Sequence, residues 1–282
     1  MTALEAKLHE RVLADVRRRG AFEHATIAVG RAGLLAVILG LWAYASGRWL
    51  DRDTISDPIA VLFALKDLIS SGRLWPDLLQ TVSEVIAGYG IGTVLGVLLA
   101  ATFALWPSME RVLRPFLIAI YSIPKIALAP LIVMWFGLGI APKIILAAAF
   151  VFFIVFMNTV AGIGSVNPQH VDIMRVMGAS RFAVLRKLVL PTAVPFLILG
   201  MRLSVPEAMI GAVIGEFISA NSGLGYLVYS ASNELNTAVS MAALLVLVLV
   251  VAFGDMLLGL LDRFLVPGST RQSDRIGRGA FA

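Results

Sequence analysis

The sequence contains no cysteine, and only three of its 282 residues are histidine. Without thiols there is no disulfide framework, no thiolate metal site and no catalytic cysteine. His9, His24 and His170 are scattered outside the apolar stretches, so the two-histidine H-E-x-x-H metal motif is missing too. None of the five lysines is followed by Ser or Thr, which excludes a phosphate-binding G-x-x-x-x-G-K-[S/T] loop, and no G-x-S-x-G nucleophile elbow occurs. The chain reads as a non-enzyme with no metal and no cofactor. Charge is also scarce: 15% of residues are Asp, Glu, Lys or Arg, against about 25% in ordinary soluble domains. The 59% that are hydrophobic would give a soluble chain large exposed apolar patches. A membrane protein is the class that fits. The net charge of +5 is spread along the chain and does not form a nucleic-acid patch.

Six charge-poor stretches approach the roughly 20 residues a helix needs to cross about 30 Å of hydrocarbon. They are about Ala25–Gly47, Val85–Met109, Pro115–Gly139, Ile144 to about Gly164, about Ala193–Ser219, and Leu235 to about Leu261. Pro124 and Pro130 interrupt the third, which predicts a helix, a break and a half-helix. Before the first span, Leu4, Leu8, Val12 and Val16 recur among Arg11, Arg17, Arg18 and Arg19. That pattern reads as an amphipathic helix on the lipid surface or a docking element for a partner, and not as a signal peptide.

Basic residues set the orientation. With the N-terminus inside, fifteen of the 23 Lys and Arg fall in inner segments, five in outer ones, and Arg31, Lys125 and Arg202 within spans. This is the positive-inside bias. Both termini and the loop of about 165–192 are therefore cytoplasmic, and the Asp-rich segment Asp51–Asp77 faces outward. The organisation is an all-α, polytopic helical bundle with an amphipathic tail at 1–24, a membrane domain at 25–265 and a C-terminal tail at 266–282.

Charges inside spans are expensive and tend to face a cavity or a partner. Lys125, Arg202, Glu207 and Glu216 are thus candidate residues of a polar pathway. Arg202 and Glu216, fourteen residues apart, fall within about 40° of one helix face but about 21 Å apart along it. They equally fit opposite membrane interfaces, as Lys125 fits one interface and Asp255 the inner end of the last span. Gly88, Gly92, Gly96 and Ala100 form a small-residue ridge for close approach of another helix, from this chain or a second copy.

The loop between the fourth and fifth spans runs from Asp172 through Gly178 to Leu188, Leu190 and Pro191. Its pattern predicts a helix, a turn at Gly178 and a basic amphipathic helix that Pro191 ends. Phe182, Leu185 and Leu188 recur on one side, suited to a groove in another protein or to the lipid surface.

This segment resembles the cytoplasmic loop signature of permease subunits of binding-protein-dependent ATP-binding-cassette importers: E-A-A, three residues, Gly, nine residues, I-x-L-P. Asp172, Gly178, Leu188, Leu190 and Pro191 stand at the matching positions, with Asp172 in place of Glu, Ile173 and Met174 in place of the alanines, and Leu188 in place of Ile. Further likeness runs from about Ile55 to Leu265. Trp135-Phe-Gly-Leu-Gly139, Gly178-Ala-Ser-Arg181, and Glu216 followed by Ser222-Gly-Leu-Gly-Tyr226 resemble the nitrate, alkanesulfonate, taurine and thiamine-precursor branch. The outward segment Pro58–Thr81 is similar to that branch as well.

The resemblance implies the type I importer fold in a bacterial inner membrane. It also implies that Asp172, Gly178, Ala179, Ser180, Leu188, Leu190 and Pro191 belong to a coupling loop that docks on a cytoplasmic ATPase subunit, where ATP would be hydrolysed. A solute-binding protein outside and a second copy of the permease are the other implied partners, together with membrane lipid. The expected cargo is a small solute, either a nitrate-, sulfonate- or taurine-like anion or a vitamin precursor. Two other readings of the residues stand beside it: an ion-gradient-driven transporter working through Glu207 and Glu216, and a non-transporting membrane scaffold.

Overall fold

In hydrocarbon every backbone N–H and C=O must be satisfied within the protein, which favours helices for segments this apolar. The computed structural model describes residues 26–27, 29–48 and 55–265. The tails expected at 1–24 and 266–282 lie outside the described residues, and what is described is helical and free of strands. In order the helices are α1 (Val29–Ala45), α2 (Pro58–Ser70), α3 (Leu74–Leu105), α4 (Pro107–Tyr121), α5 (Lys125–Phe136), α6 (Ile140–Gly164), α7 (Pro168–Val176), α8 (Arg181–Val184), α9 (Leu190–Ser219), α10 (Leu224–Asn233) and α11 (Thr237–Leu265). By length and composition, α3, α6, the continuous helix Arg181–Ser219 and α11 are long and apolar enough to cross a membrane. Helices α4 and α5 form a broken span, bent by 92°. With the shorter α1, the six apolar segments read from the sequence all appear as helices.

The described chain divides after Phe63 into two units. In the first, Trp42 Nε1 donates to the Ser56 carbonyl at 2.8 Å and Ser46 Oγ to the Ile55 carbonyl at 3.1 Å. These bonds tie the end of α1 to the segment before α2. In the second unit α6 is central, with α3, α5 and α9 packed around it.

The small-residue ridge finds its partner here, and the partner is α6 of the same chain. A Cβ on Gly92 would lie 2.5 Å from the Ala148 carbonyl oxygen and 2.8 Å from Val151 Cβ, so the two backbones meet where glycine leaves room. From the other side, α9 brings Ala208 against Val151 and Val155, all three fully buried. The opposite faces stay open: Leu95 and Leu98 on α3, and Val248 and Phe253 on α11, are more than half exposed. They suit contact with acyl chains, where small residues pack inward and large apolar ones meet lipid.

Two local expectations change. The break in the third span falls at Ser122–Pro124, where Pro124 caps α5, while Pro130 sits inside α5 without ending it. The stop expected at Pro191 does not occur either. Residues Leu185–Val189 form one π-helical stretch, and the helix runs without interruption from Arg181 to Ser219. Proline lacks an N–H and its ring clashes with the carbonyl four residues back in an α-helix. The wider π turn just before Pro191 moves that carbonyl aside and lets the helix continue.

Candidate functional site

The loop of about 165–192 is built by local capping. Asn167 accepts from the Gln169 amide at 2.9 Å and opens α7 with Pro168 in its first turn. The helix ends in a Schellman turn: the Gly178 amide donates to the Arg175 carbonyl and the Ala179 amide to the Met174 carbonyl, both at 2.9 Å. Gly178 has φ +80°, the left-handed conformation that a side chain disfavours. Ser180 then caps α8, accepting from the Ala183 amide at 3.2 Å. The turn at Gly178 and the two flanking helices are thus as the spacing predicted.

The apolar face of the second loop helix is divided differently. Val184, Leu185 and Val189 are buried in a cluster that includes half-buried Leu188 and Leu190 and residues of α3 and α6. Leu185 and Leu188 therefore serve the chain's own packing, because the unbroken helix brings them onto the bundle. The outward apolar surface is the loop's tip: Val176 is 89% exposed and Met177 81%, with Ile173 and Phe182 beside them. Asp172 is exposed and pairs with Arg175 at 3.6 Å. A cavity of about 640 Å³ opens at the root of the loop, lined in part by Arg111, Asp172, Arg175 and Arg181.

At the end of the bundle opposite this loop lies a buried polar clamp. Glu216 of α9 is 1% exposed and accepts from Thr81 Oγ1 of α3 at 2.6 Å and from the Gly225 amide at 2.5 Å. Thr81 Oγ1 in turn accepts from the Leu224 amide at 2.8 Å, and Asp77 accepts from the Gly223 amide at 2.8 Å. Three successive amides opening α10 are thus satisfied by side chains of α3 and α9. Any side chain at Gly223 or Gly225 would run into the Glu216 carboxyl group, which gives the Gly-Leu-Gly spacing its physical reason. Beside the clamp, Lys143 of α6 bonds Glu84 of α3 at 2.8 Å with both side chains almost wholly buried, and Gln80 donates to the same oxygen at 2.6 Å.

Glu84 and Lys143 escaped the sequence reading because each stands at a span boundary and was assigned outside the membrane. The signal was present: Glu84 lies four residues before Gly88, on the ridge that packs against α6. The remaining intramembrane charges separate into paired and unpaired. Arg202 forms a two-pronged bond to Asp255 of α11, at 3.0 and 3.1 Å. The side chain of Glu207, half-buried on α9, makes no hydrogen bond or ion pair among the described residues. Lys125 has no carboxylate there either, and its ammonium lies over the rings of Tyr121, Phe153 and Phe150 at 4.6, 5.3 and 5.4 Å.

Residues 92–271 match the family described as "Binding-protein-dependent transport system inner membrane component". The chain belongs to this family. It is 35% identical over 212 residues to the riboflavin transport system permease protein RibX of Chloroflexus aurantiacus, covering 75% of this chain and 79% of that one. Over 218 residues it is 32% identical to the formylaminopyrimidine transport permease protein ThiX of Halalkalibacterium halodurans, covering 77% and 87%. The taurine transport system permease protein TauC of Escherichia coli is 29% identical over 241 residues, covering 83% and 88%. The fold of the present chain matches a chain of the MetNI methionine ABC transporter in an inward-facing conformation, with a TM-score of 0.56 and 22% identity, covering 68% of this chain and 94% of that one. The protein is a multi-pass inner-membrane permease subunit of an ABC importer, in the branch that holds sulfonate, taurine and thiamine-precursor permeases. No observation favours the ion-gradient reading.

Proposed function

We propose that this permease forms the membrane path for a small solute handed over by a binding protein, and that the loop of about 165–192 receives the stroke of a separate cytoplasmic ATPase subunit. The membrane domain at 25–265 works with a second copy of itself. One observation carries the coupling assignment: an apolar tip, Ile173, Val176, Met177 and Phe182, is held out of the bundle by the Gly178 turn. Exposed apolar side chains on a rigid, capped element fit a groove on a partner protein. Asp172, Gly178, Ala179 and Ser180 shape and cap that element, whereas Leu188, Leu190 and Pro191 join it to the span.

The path assignment narrows to Glu207 and Lys125. Arg202 is neutralised by Asp255 and Glu216 is held by its donors in the clamp, so neither is free to meet a solute. The test of the coupling assignment is co-purification of the permease with its ATPase subunit from detergent, with Val176→Ser and Met177→Ser combined. The pair of substitutions is expected to leave membrane insertion and yield unchanged and to abolish both ATPase retention and uptake. Full retention and uptake by the double variant would remove the loop from the interface.

A further inference from the structure

The cavity at the root of the loop carries positive charge that no described residue neutralises. Its lining includes arginines from three separate segments: Arg111 of α4, Arg175 of α7 and Arg181 at the start of the long helix. Asp172 is the one carboxylate in the lining among the described residues, and it pairs with Arg175 at 3.6 Å. Arg111 and Arg181 form no ion pair among the described residues. Two guanidiniums without a carboxylate thus face a hollow of about 640 Å³, within the roughly 300–1,000 Å³ of small-ligand sites.

The rest of the lining is of the opposite character. Leu105 at the end of α3, Ile163 near the end of α6, and Leu185 and Val189 of the π-helical stretch close it with apolar side chains. Under the positive-inside bias these are the cytoplasmic ends of the spans, which sets the cavity at the height of the inner headgroups. Trp106, a half-exposed lining residue, is of the type that anchors a protein at that height. On the next face of α4, Met109, Val112 and Phe116 recur at helical spacing and stay exposed. They form an apolar track that leads from the arginines into the span.

We infer that this cavity binds the headgroup of an anionic phospholipid of the inner leaflet, with phosphate oxygens on Arg111 and Arg181 and acyl chains along the apolar track of α4. A guanidinium offers a phosphate two parallel N–H donors, and a basic pocket between spans on the cytoplasmic side suits such a headgroup. A phosphate in solution would satisfy the arginines and leave the apolar lining and track uncovered. A zwitterionic lipid brings its own cation, which the arginines repel, so selectivity comes from the headgroup's net charge. The binding stands apart from the coupling assignment above. Its consequence rests on that assignment: a lipid seated there fills the hollow between loop and bundle and braces the element that receives the stroke.

The permease is purified in complex with its ATPase subunit and stripped of lipid in detergent, and its thermal midpoint is followed against phosphatidylglycerol, phosphatidylcholine and glycerol 3-phosphate. Phosphatidylglycerol is expected to raise the midpoint at concentrations roughly tenfold or more below phosphatidylcholine, and glycerol 3-phosphate to leave it unchanged. Arg111→Gln combined with Arg181→Gln should erase the preference for phosphatidylglycerol. Arg114→Gln combined with Lys187→Gln removes the same charge from outside the lining and should keep that preference. An equal response to the two lipids, a shift with glycerol 3-phosphate that matches the lipid's, or an equal loss in both double variants would overturn the inference. Retention of the ATPase is read in the same preparations. Its loss from the Arg111 and Arg181 double variant, with the lipid preference kept, would make the cavity a protein contact and overturn the inference as well. Full ATPase retention and uptake by the Val176→Ser and Met177→Ser double variant, alongside the lipid preference, would strike the coupling assignment and leave the lipid site standing.

Discussion

Replacing Lys143 by Met tests whether the buried pair with Glu84 acts as the physics of the bundle requires. At 2.8 Å the attraction between the two charges is about 6 kcal/mol for an effective dielectric of about 20. Taking each ion out of water costs several kcal/mol, so the intact pair contributes little net stability. Removing one partner is different, because the other charge stays buried with nothing to neutralise it, and that costs about 3–5 kcal/mol. At roughly 2–4 °C per kcal/mol, Lys143→Met should lower the thermal midpoint of the detergent-purified permease by roughly 6–20 °C. Glu84→Met should fall by a similar amount, since it strands the ammonium and removes the acceptor of Gln80. The double variant should recover most of the loss, because two thioether side chains of similar volume need no counter-ion and Glu216 keeps its own donors, Thr81 and Gly225. Differential scanning fluorimetry on the four proteins closes the cycle. A single-variant loss within about 2 °C of zero, or two losses that simply add in the double variant, would refute the account.

Three further outcomes follow from the same geometry. Gly92→Val puts a branched side chain where a single Cβ already lies 2.5 Å from the Ala148 carbonyl. It should destabilise the α3–α6 contact by about 1–3 kcal/mol or more, read as a drop in melting midpoint, whereas Gly90→Val, at a position with open space, should not. Arg202→Leu strands Asp255 within the apolar part of α11 and should reduce folded yield in the membrane, while Arg202→Leu with Asp255→Leu should restore it; failure of the second change to rescue would remove the pair's role. Gly178→Asp forces φ +80° on a residue with a side chain, at roughly 1–2 kcal/mol. It should leave insertion intact while ATP-driven uptake falls, measured as uptake per ATP hydrolysed in reconstituted vesicles.

Much of this architecture is legible in the residues because hydropathy and charge bias report spans directly, without knowledge of who packs on whom. The six apolar stretches and the Gly178 turn are of that kind, each carried by a local preference. Contacts are another matter. Gly88, Gly92 and Gly96 announce a close approach, but spacing on one helix is silent about the partner, which the fold identifies as α6. Leu185 and Leu188 look available on a helical wheel and are claimed by the bundle, because the π turn at Leu185–Val189 rescues a helix that Pro191 should have stopped. Glu84 and Lys143 were hidden by a boundary placed one residue past the charge. The same holds for Glu216: as an acid within a span it resembles a pathway residue, and only its donors, Thr81 on another helix and Gly225 across a turn, place it in a clamp.

The clamp and the loop stand at opposite ends of one element, and that arrangement bears on how a stroke would travel. Arg181–Ser219 is a continuous helix of 39 residues, about 58 Å long at the α-helical rise. One end carries the cap that presents Val176, Met177 and Phe182. The other is tied through Glu216 to Thr81 of α3 and to the start of α10. A helix with intact hydrogen bonds transmits displacement along its axis and gives way at its weak points, which here are the π turn at Leu185–Val189 and the positions of Pro195 and Pro206. Pro206 directly precedes Glu207. With the far end held, movement imposed at the loop is absorbed where the helix bends most easily, and one of those places sits next to the unpaired carboxylate. Under the assignments proposed for the loop and for Glu207, the hydrolysis stroke would therefore change the setting of the solute path at Glu207 without any contact between ATPase and solute.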